Sequence, residues 1–142
     1  MIQFIKGPWK SGEDEVVMTN KSGLGFFELK KMGLGFVGIL GDTLPIEEHA
    51  KAAKKALELF KEELPKHDLI VLDEVNVAVS LGLLSAEEVL ETVSNLAPGK
   101  IVLFTGRDAP ESFIEKADLV TEMKEIKHPF NKKEFAKIAI EF

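Results

Sequence analysis

The sequence predicts an α/β domain built on a parallel sheet. The run Asp68-Leu-Ile-Val-Leu-Asp73 is short, apolar and closed by acid, the pattern of a strand buried on both faces. Lys100-Ile-Val-Leu-Phe104 has the same character. Segments of helical period separate such runs, and strands alternating with helices specify a parallel sheet with helices on both faces. Ligands of a sheet of this kind bind beyond the C-terminal ends of its strands.

Each element has its own warrant along the chain. Ile2-Gln-Phe-Ile5 has the apolar content of a strand, and Lys6-Gly7-Pro8 closes it because proline cannot donate to a ladder. Glycine recurs over 9–42 and breaks every period, so this stretch reads as loops around a short strand at 26–29. Asp42 or Thr43 is positioned to cap a helix over 45–63, with Pro45 in its first turn and Ile46, Ala50, Ala53, Leu57, Phe60 and Leu64 along one face. Pro65 stops that helix.

The acid-ended strand follows, and then Ser85-Ala-Glu-Glu88, a capping box that opens a second helix. Its buried stripe is Val89 or Leu90, Val93 and Leu96, and Pro98-Gly99 ends it. After the strand at 100–104, Asp108-Ala-Pro-Glu111 starts a short helix reaching Lys116, and 119–123 reads as a last strand. Asn131 with Glu134 repeats the capping-box pattern, which predicts a terminal helix from about 132.

Composition narrows the function classes. A chain of 142 residues fits one domain and buries roughly 68% of its extended surface, enough for a core without covalent staples. The absence of cysteine excludes disulfides, thiolate metal sites and a cysteine nucleophile, and suits a cytoplasmic protein. A net charge of -6 argues against nucleic acid, whose phosphates require an excess of Lys and Arg. No apolar run approaches the ~20 residues that cross a bilayer, and Met1-Ile-Gln-Phe-Ile-Lys6 lacks the features of a signal peptide, so no membrane partner is expected.

The chemistry gathers at expected strand ends: Asp73-Glu74, Thr105-Gly106-Arg107 and Thr121-Glu122. Two carboxylates there can bind Mg²⁺ directly or through water, Thr105 can donate to a phosphate, and Gly106 allows close approach to the backbone. Arg107 is the single arginine among 18 basic residues, a planar two-pronged donor suited to phosphate or carboxylate. Plainer roles compete: Asp73 as a cap of 75–80, Glu74 as a salt-bridge partner, Trp9 and Phe36 as core, His128 as a hydrogen-bonded loop residue. Gly33-Leu-Gly35-Phe-Val-Gly38 matches G-x-G-x-x-G, but no buried strand runs into it and no helix opens from it. The sequence holds no G-x-x-x-x-G-K-[ST], no zinc-ligand spacing and no hydrolase triad.

Asp73-Glu-Val-Asn76, Thr105-Gly-Arg107, Ala117-Asp-Leu-Val-Thr-Glu-Met123, Lys127-His-Pro-Phe130 and Ile140-Glu-Phe142, with Gln3-Phe-Ile-Lys-Gly7 and Trp9, resemble the P-loop ATP:corrinoid adenosyltransferases over nearly the whole chain. The resemblance implies transfer of the 5'-deoxyadenosyl group of ATP to a reduced corrinoid cobalt, cob(I)alamin, with triphosphate leaving. It also implies a homodimer, a reductase that supplies electrons, and a P-loop NTPase (RecA-like) topology. Gln-Phe-Ile-Lys-Gly corresponds to the family's second strand, so the fold expected here lacks the first strand, the phosphate loop and the first helix.

By the same resemblance, Glu74 and Arg107 are catalytic and Asp73 and Glu74 hold Mg²⁺. Thr105, Gly106, Arg107, Glu122 and His128 face the nucleotide, while Phe36 and Trp9 pack against the corrinoid. The alternatives are a non-catalytic corrinoid or nucleotide binder, and a fragment whose phosphate loop comes from another chain.

Overall fold

The computed structural model describes residues 1–16, 26–39 and 41–132. Its elements are β1 (Ile2–Gln3), β2 (Lys30–Lys31), α1 (Ile46–Glu63), β3 (Leu69–Asp73), α2 (Val75–Ser80), α3 (Ala86–Val93), β4 (Ile101–Phe104) and α4 (Glu111–Lys116). The strands form one four-stranded sheet in the order β2-β1-β3-β4. Every pairing is parallel, with Ile2 opposite Lys30 and Leu72, and Leu72 opposite Phe104. The α/β class and the parallel sheet are as the sequence predicted.

β1 is central, and its short regular core is extended by further ladder bonds. Lys30 N donates to Met1 O at 2.9 Å, Met32 N to Gln3 O at 3.0 Å and Gly35 N to Ile5 O at 2.9 Å on one side, while Phe4 N donates to Asp73 O at 3.0 Å on the other. This register corrects the strand expected at 26–29. The ladder runs through Lys30 and Lys31 instead, because β2 lies at the sheet's edge, where lysine is tolerated and apolar content is a poor guide.

The core lies on one face of the sheet. Ile2, Phe4, Ile70 and Leu72 form a single buried cluster with Ala53, Ala56, Leu57 and Phe60 of α1, Val75 and Ala78 of α2, Val89 of α3 and Phe113 of α4. Phe104 and Phe113 meet edge to face with centroids 4.9 Å apart. Phe60 is fully buried, and truncating such a ring to alanine costs about 3–5 kcal/mol.

On the opposite face Leu69 is 51%, Ile101 53% and Leu103 46% exposed, so the second helical layer expected there is not formed by the described residues. Topology supplies the reason. The crossovers β2–α1–β3 and β3–α2–α3–β4 step the same way across the sheet, and crossovers of one hand then lay their helices on the same face.

α1 runs from Ile46 to Glu63 as its period predicts, then tightens into a 3-10 turn at Leu64–Lys66 that contains Pro65. Its N-cap is Pro45 with no side-chain cap bond, so neither Asp42 nor Thr43 caps it. The capping box before α3 is present: Ser85 Oγ accepts from Glu88 N at 3.1 Å, and Glu88 Oε2 accepts from Ser85 N at 2.8 Å.

These elements belong to a unit made of Met1–Trp9 and Glu28–Lys116. A second unit is drawn from Lys10–Phe27 and Ala117–Phe142. It holds 3-10 turns at Gly12–Glu15 and Pro129–Lys132, the first closed by Asp14 Oδ2 accepting from Ser11 N at 2.7 Å. The strand expected at 119–123 does not form. Leu119, Val120 and Met123 are exposed, and a run of strand-like composition becomes a strand only where a neighbour satisfies its backbone. The terminal helix predicted from about 132 lies outside the described residues apart from its start.

Candidate functional site

Because the sheet is all parallel, the residues that follow β1, β2, β3 and β4 emerge on one edge. In sheet order they are Leu34–Phe36 after β2, Lys6–Trp9 after β1, Asp73-Glu74 at β3 and Thr105–Arg107 after β4. Neighbouring strands are ~4.8 Å apart, so the edge is a narrow row, aromatic at one end and charged at the other.

The charged half is stitched together by Thr105. Its Oγ1 donates to Asp73 Oδ1 at 3.0 Å and accepts from Glu74 N at 3.1 Å, while its backbone N donates to Leu72 O at 3.2 Å. The hydroxyl thus ties the Asp73 carboxylate to the Glu74 backbone. Gln3 Nε2 donates to Asp73 Oδ2 at 3.0 Å from the other side. Asn76 holds the β4 loop through Nδ2 to Gly106 O at 3.1 Å. Gly106 has φ +123, and a Cβ there would lie 3.1 Å from Asn76 Cβ and 3.2 Å from Val77 N, so its missing side chain is what lets α2 pack against this loop.

Backbone strain concentrates here. Among the described residues Glu74 (φ 60) and Asp108 (φ 58) are the non-glycine residues in the left-handed region, and both stand just past the ends of adjacent strands. Strain of this kind is retained where a side chain has to be presented in a particular pose. The Glu74 carboxyl is half-buried, and burial followed by the nearby Asp73 carboxylate raises its pKa; Lys6 and Arg107 pull it the other way. Lys6 is therefore a member of this cluster that the sequence reading treated only as a strand terminator.

The aromatic half is Trp9 and Phe36, 60% and 50% exposed, with ring centroids 6.3 Å apart and an interplanar angle of 30°. Neither is core. The indole lies on the bare α-carbon of Gly35 (φ +110), where a Cβ would come within 2.1 Å of Trp9 Cη2. Lys31 Nζ donates to Trp9 O at 2.7 Å and holds the turn.

Glu122 and His128 belong to the second unit. Glu122 is exposed in an irregular stretch rather than at a strand end, and His128 precedes the turn at Pro129.

For Mg²⁺ the donor set fits. Each Asp73 oxygen carries one hydrogen bond and keeps capacity for another partner, and Glu74 adds a carboxyl whose ionisation a cation would favour. Gln3 Oε1 and Asn76 Oδ1, on the two residues that brace this row, are buried acceptors with no hydrogen-bond partner among the described residues. A different set, Glu28, Glu63 and His67, brings ligand atoms within 4.8 Å of one another, but it lies where β2 and β3 begin. Lys30 and Lys66 already pair its carboxylates at 2.6 and 2.8 Å, and it reads as an ion-pair network.

A parallel α/β protein with an acidic, strained strand-end site flanked by cations and exposed aromatic rings belongs to the class whose ligands lie across that edge. The chain matches the family model of ATP:corrinoid adenosyltransferase BtuR/CobO/CobP over residues 1–142, and it belongs to that family. It is 35% identical to a corrinoid adenosyltransferase of Sinorhizobium sp over the whole of this chain and 65% of that protein. With the corrinoid adenosyltransferase of Pseudomonas aeruginosa it shares 34% identity over the whole chain and 68% of that protein. An uncharacterized protein of Nostoc sp. is 41% identical over 91% of this chain and 35% of its own length. The chain thus spans about two thirds of the length of the corrinoid adenosyltransferases it matches.

Proposed function

We propose that this chain carries the corrinoid and metal-nucleotide side of an ATP:corrinoid adenosyltransferase site. In the reaction, the electron pair of reduced cobalt attacks C5' of ATP, the C5'–O bond breaks, and its electrons leave with triphosphate. Cobalt is the nucleophile, so the protein's contribution is alignment and charge compensation. The observation that carries the reading is the order of groups along one edge, aromatic over β2 and β1, then acidic, then cationic over β4. A corrinoid is a large flat apolar macrocycle and a triphosphate is a polyanion, and the two ends of the edge suit them in turn.

On this reading Trp9 and Phe36 offer ring faces to the corrinoid. Asp73 and Glu74 hold Mg²⁺, which offsets phosphate charge when bound, and Arg107 and Lys6 supply cationic contacts to the leaving group. Thr105 holds the Asp73 carboxylate and the Glu74 backbone together, and Gly106 keeps the β4 loop close to α2 so that Arg107 stays at the edge. The family resemblance assigns Glu122 and His128 to the nucleotide as well. A RecA-like topology, a homodimer and a reductase as electron donor belong to the same proposal.

Calorimetry tests this directly. A corrinoid should bind with a Trp9-dependent signal, Trp9→Leu should weaken it at least tenfold, and Mg-nucleotide binding should fall in Glu74→Gln. A corrinoid affinity indifferent to both Trp9 and Phe36 would remove the aromatic end from the site.

A further inference from the structure

The loop that carries Phe36 into α1 is held by a buried acid–imidazole contact that the reaction does not use. Asp42 accepts from Gly38 N at 2.8 Å and from Leu44 N at 3.0 Å, and its Oδ2 lies 3.1 Å from His49 Nε2. Both side chains are withdrawn from solvent, 8% exposed for Asp42 and 2% for His49. His49 is the first buried residue of α1, so the contact ties the loop to a rigid helix packed on the core.

The loop needs such a tie. It displays Phe36, Ile39 and Leu44, all largely exposed, and apolar side chains on an untethered loop would fold back onto the nearest apolar surface. Asp42 is also spent in an unusual way. An aspartate just ahead of a helix ordinarily caps it, a role worth ~1 kcal/mol, yet α1 has no side-chain cap bond and Asp42 turns back into the loop. Its two backbone N–H donors, before the imidazole, hold its carboxyl below the ordinary range, so it is an anion there.

We propose that Asp42 and His49 are positioning residues that set the pose of the Phe36 loop, and through it the affinity of the site for a flat apolar macrocycle. The proposal rests on the corrinoid reading above and deepens it. Neither residue touches the ligand; both act through the loop backbone at Gly38 and Leu44. The pair therefore governs corrinoid affinity and leaves nucleotide affinity alone.

The test compares Asp42→Ala, His49→Leu and His49→Gln in the full chain. His49→Leu fills the buried volume without a ring nitrogen, and His49→Gln keeps an N–H donor. Cobalamin binding should weaken about tenfold in Asp42→Ala and His49→Leu and recover most of the way in His49→Gln, while Mg-ATP affinity stays within about twofold, a tenfold change being ~1.4 kcal/mol. Trp9, the single tryptophan and a direct neighbour of Phe36, gives a ligand-free readout: its acrylamide quenching should rise in the same two variants. Unchanged quenching together with unchanged cobalamin affinity overturns the proposal, as does a parallel fall of both affinities, the signature of general loosening. If the unmodified chain binds no cobalamin, the corrinoid reading fails, and Trp9 quenching alone then decides whether the pair sets the loop.

Discussion

The aromatic and charged halves of the strand-end edge both turn on glycine, but among the described residues only the charged half adds side-chain-bearing residues in the left-handed region. Over β1 and β2 the turn falls on glycine, with Gly35 at φ +110 beneath the Trp9 ring, and the backbone is relaxed. Over β3 and β4 the positive-φ glycine Gly106 is joined by Glu74 and Asp108, which carry side chains in the left-handed region and hold strain of about 1–3 kcal/mol each. The difference teaches what each half requires. A ring face needs only space beneath it, whereas a carboxylate must be aimed, and the cost of aiming appears in the backbone.

The comparison can be broken most severely at Gly33. A Cβ there would lie 2.2 Å from Ile5 O and 2.3 Å from Ile5 C, a collision with the backbone just past β1 that no side-chain motion relieves. Gly33→Ala should destabilise by about 3 kcal/mol, read as a lower urea midpoint at constant slope, and release the Trp9–Phe36 pair. Thr105→Val tests the charged half. It strands Asp73 Oδ1 and Glu74 N and should cost about 1–2 kcal/mol.

Glu74→Gly should move the other way. Relieving the left-handed strain is expected to stabilise by about 1 kcal/mol while Mg-nucleotide binding is lost, the trade expected where strain serves function. A Glu74→Gly chain no more stable than its parent would show that the turn is held by its surroundings without strain.

The two halves also differ in the sign of their pH response. Glu74 has a raised folded pKa, from burial first and Asp73 second, so its contribution to stability is complete below its unfolded pKa and is lost as pH rises through the folded value. Asp42 has a lowered folded pKa, from the Gly38 and Leu44 N–H groups first, so its contribution is present above its unfolded pKa and is lost as pH falls through the folded value. Across the carboxylate range Glu74→Gln should remove a component that falls with pH, and Asp42→Asn one that rises. Smallest in stability is Arg107→Lys, which should leave the urea midpoint unchanged and weaken nucleotide binding severalfold, because lysine lacks the planar fork. Equal nucleotide affinity would take Arg107 out of the site.

What was legible in the sequence followed local rules. α1 and the capping box of α3 show in period and cap chemistry, and β3 and β4 show as apolar runs too short for helices. Asp73 and Glu74 could be placed at the C-terminal edge of the sheet because strand direction follows from the alternation of elements. β2 was misplaced because an edge strand that carries two lysines has no apolar signature. The strand expected at 119–123 had the composition but no strand partner among the described residues. Lys6 looked like a terminator, since only the pairing of β1 with β3 brings it near Glu74.

By itself the sequence determined the α/β class, the body of α1, the capped start of α3 and the acidic tip of β3, because hydrophobic period, caps and proline act over a few residues. It did not fix every helix end, since α3 stops at Val93 rather than at Pro98-Gly99. Tertiary structure alone decided which strand lies beside which, and hence the sharing of Thr105 between Asp73 and Glu74 and the bracing of Asp73 by Gln3. Those depend on residues far apart in the chain meeting at hydrogen-bond distance, and nothing in a local pattern records that meeting.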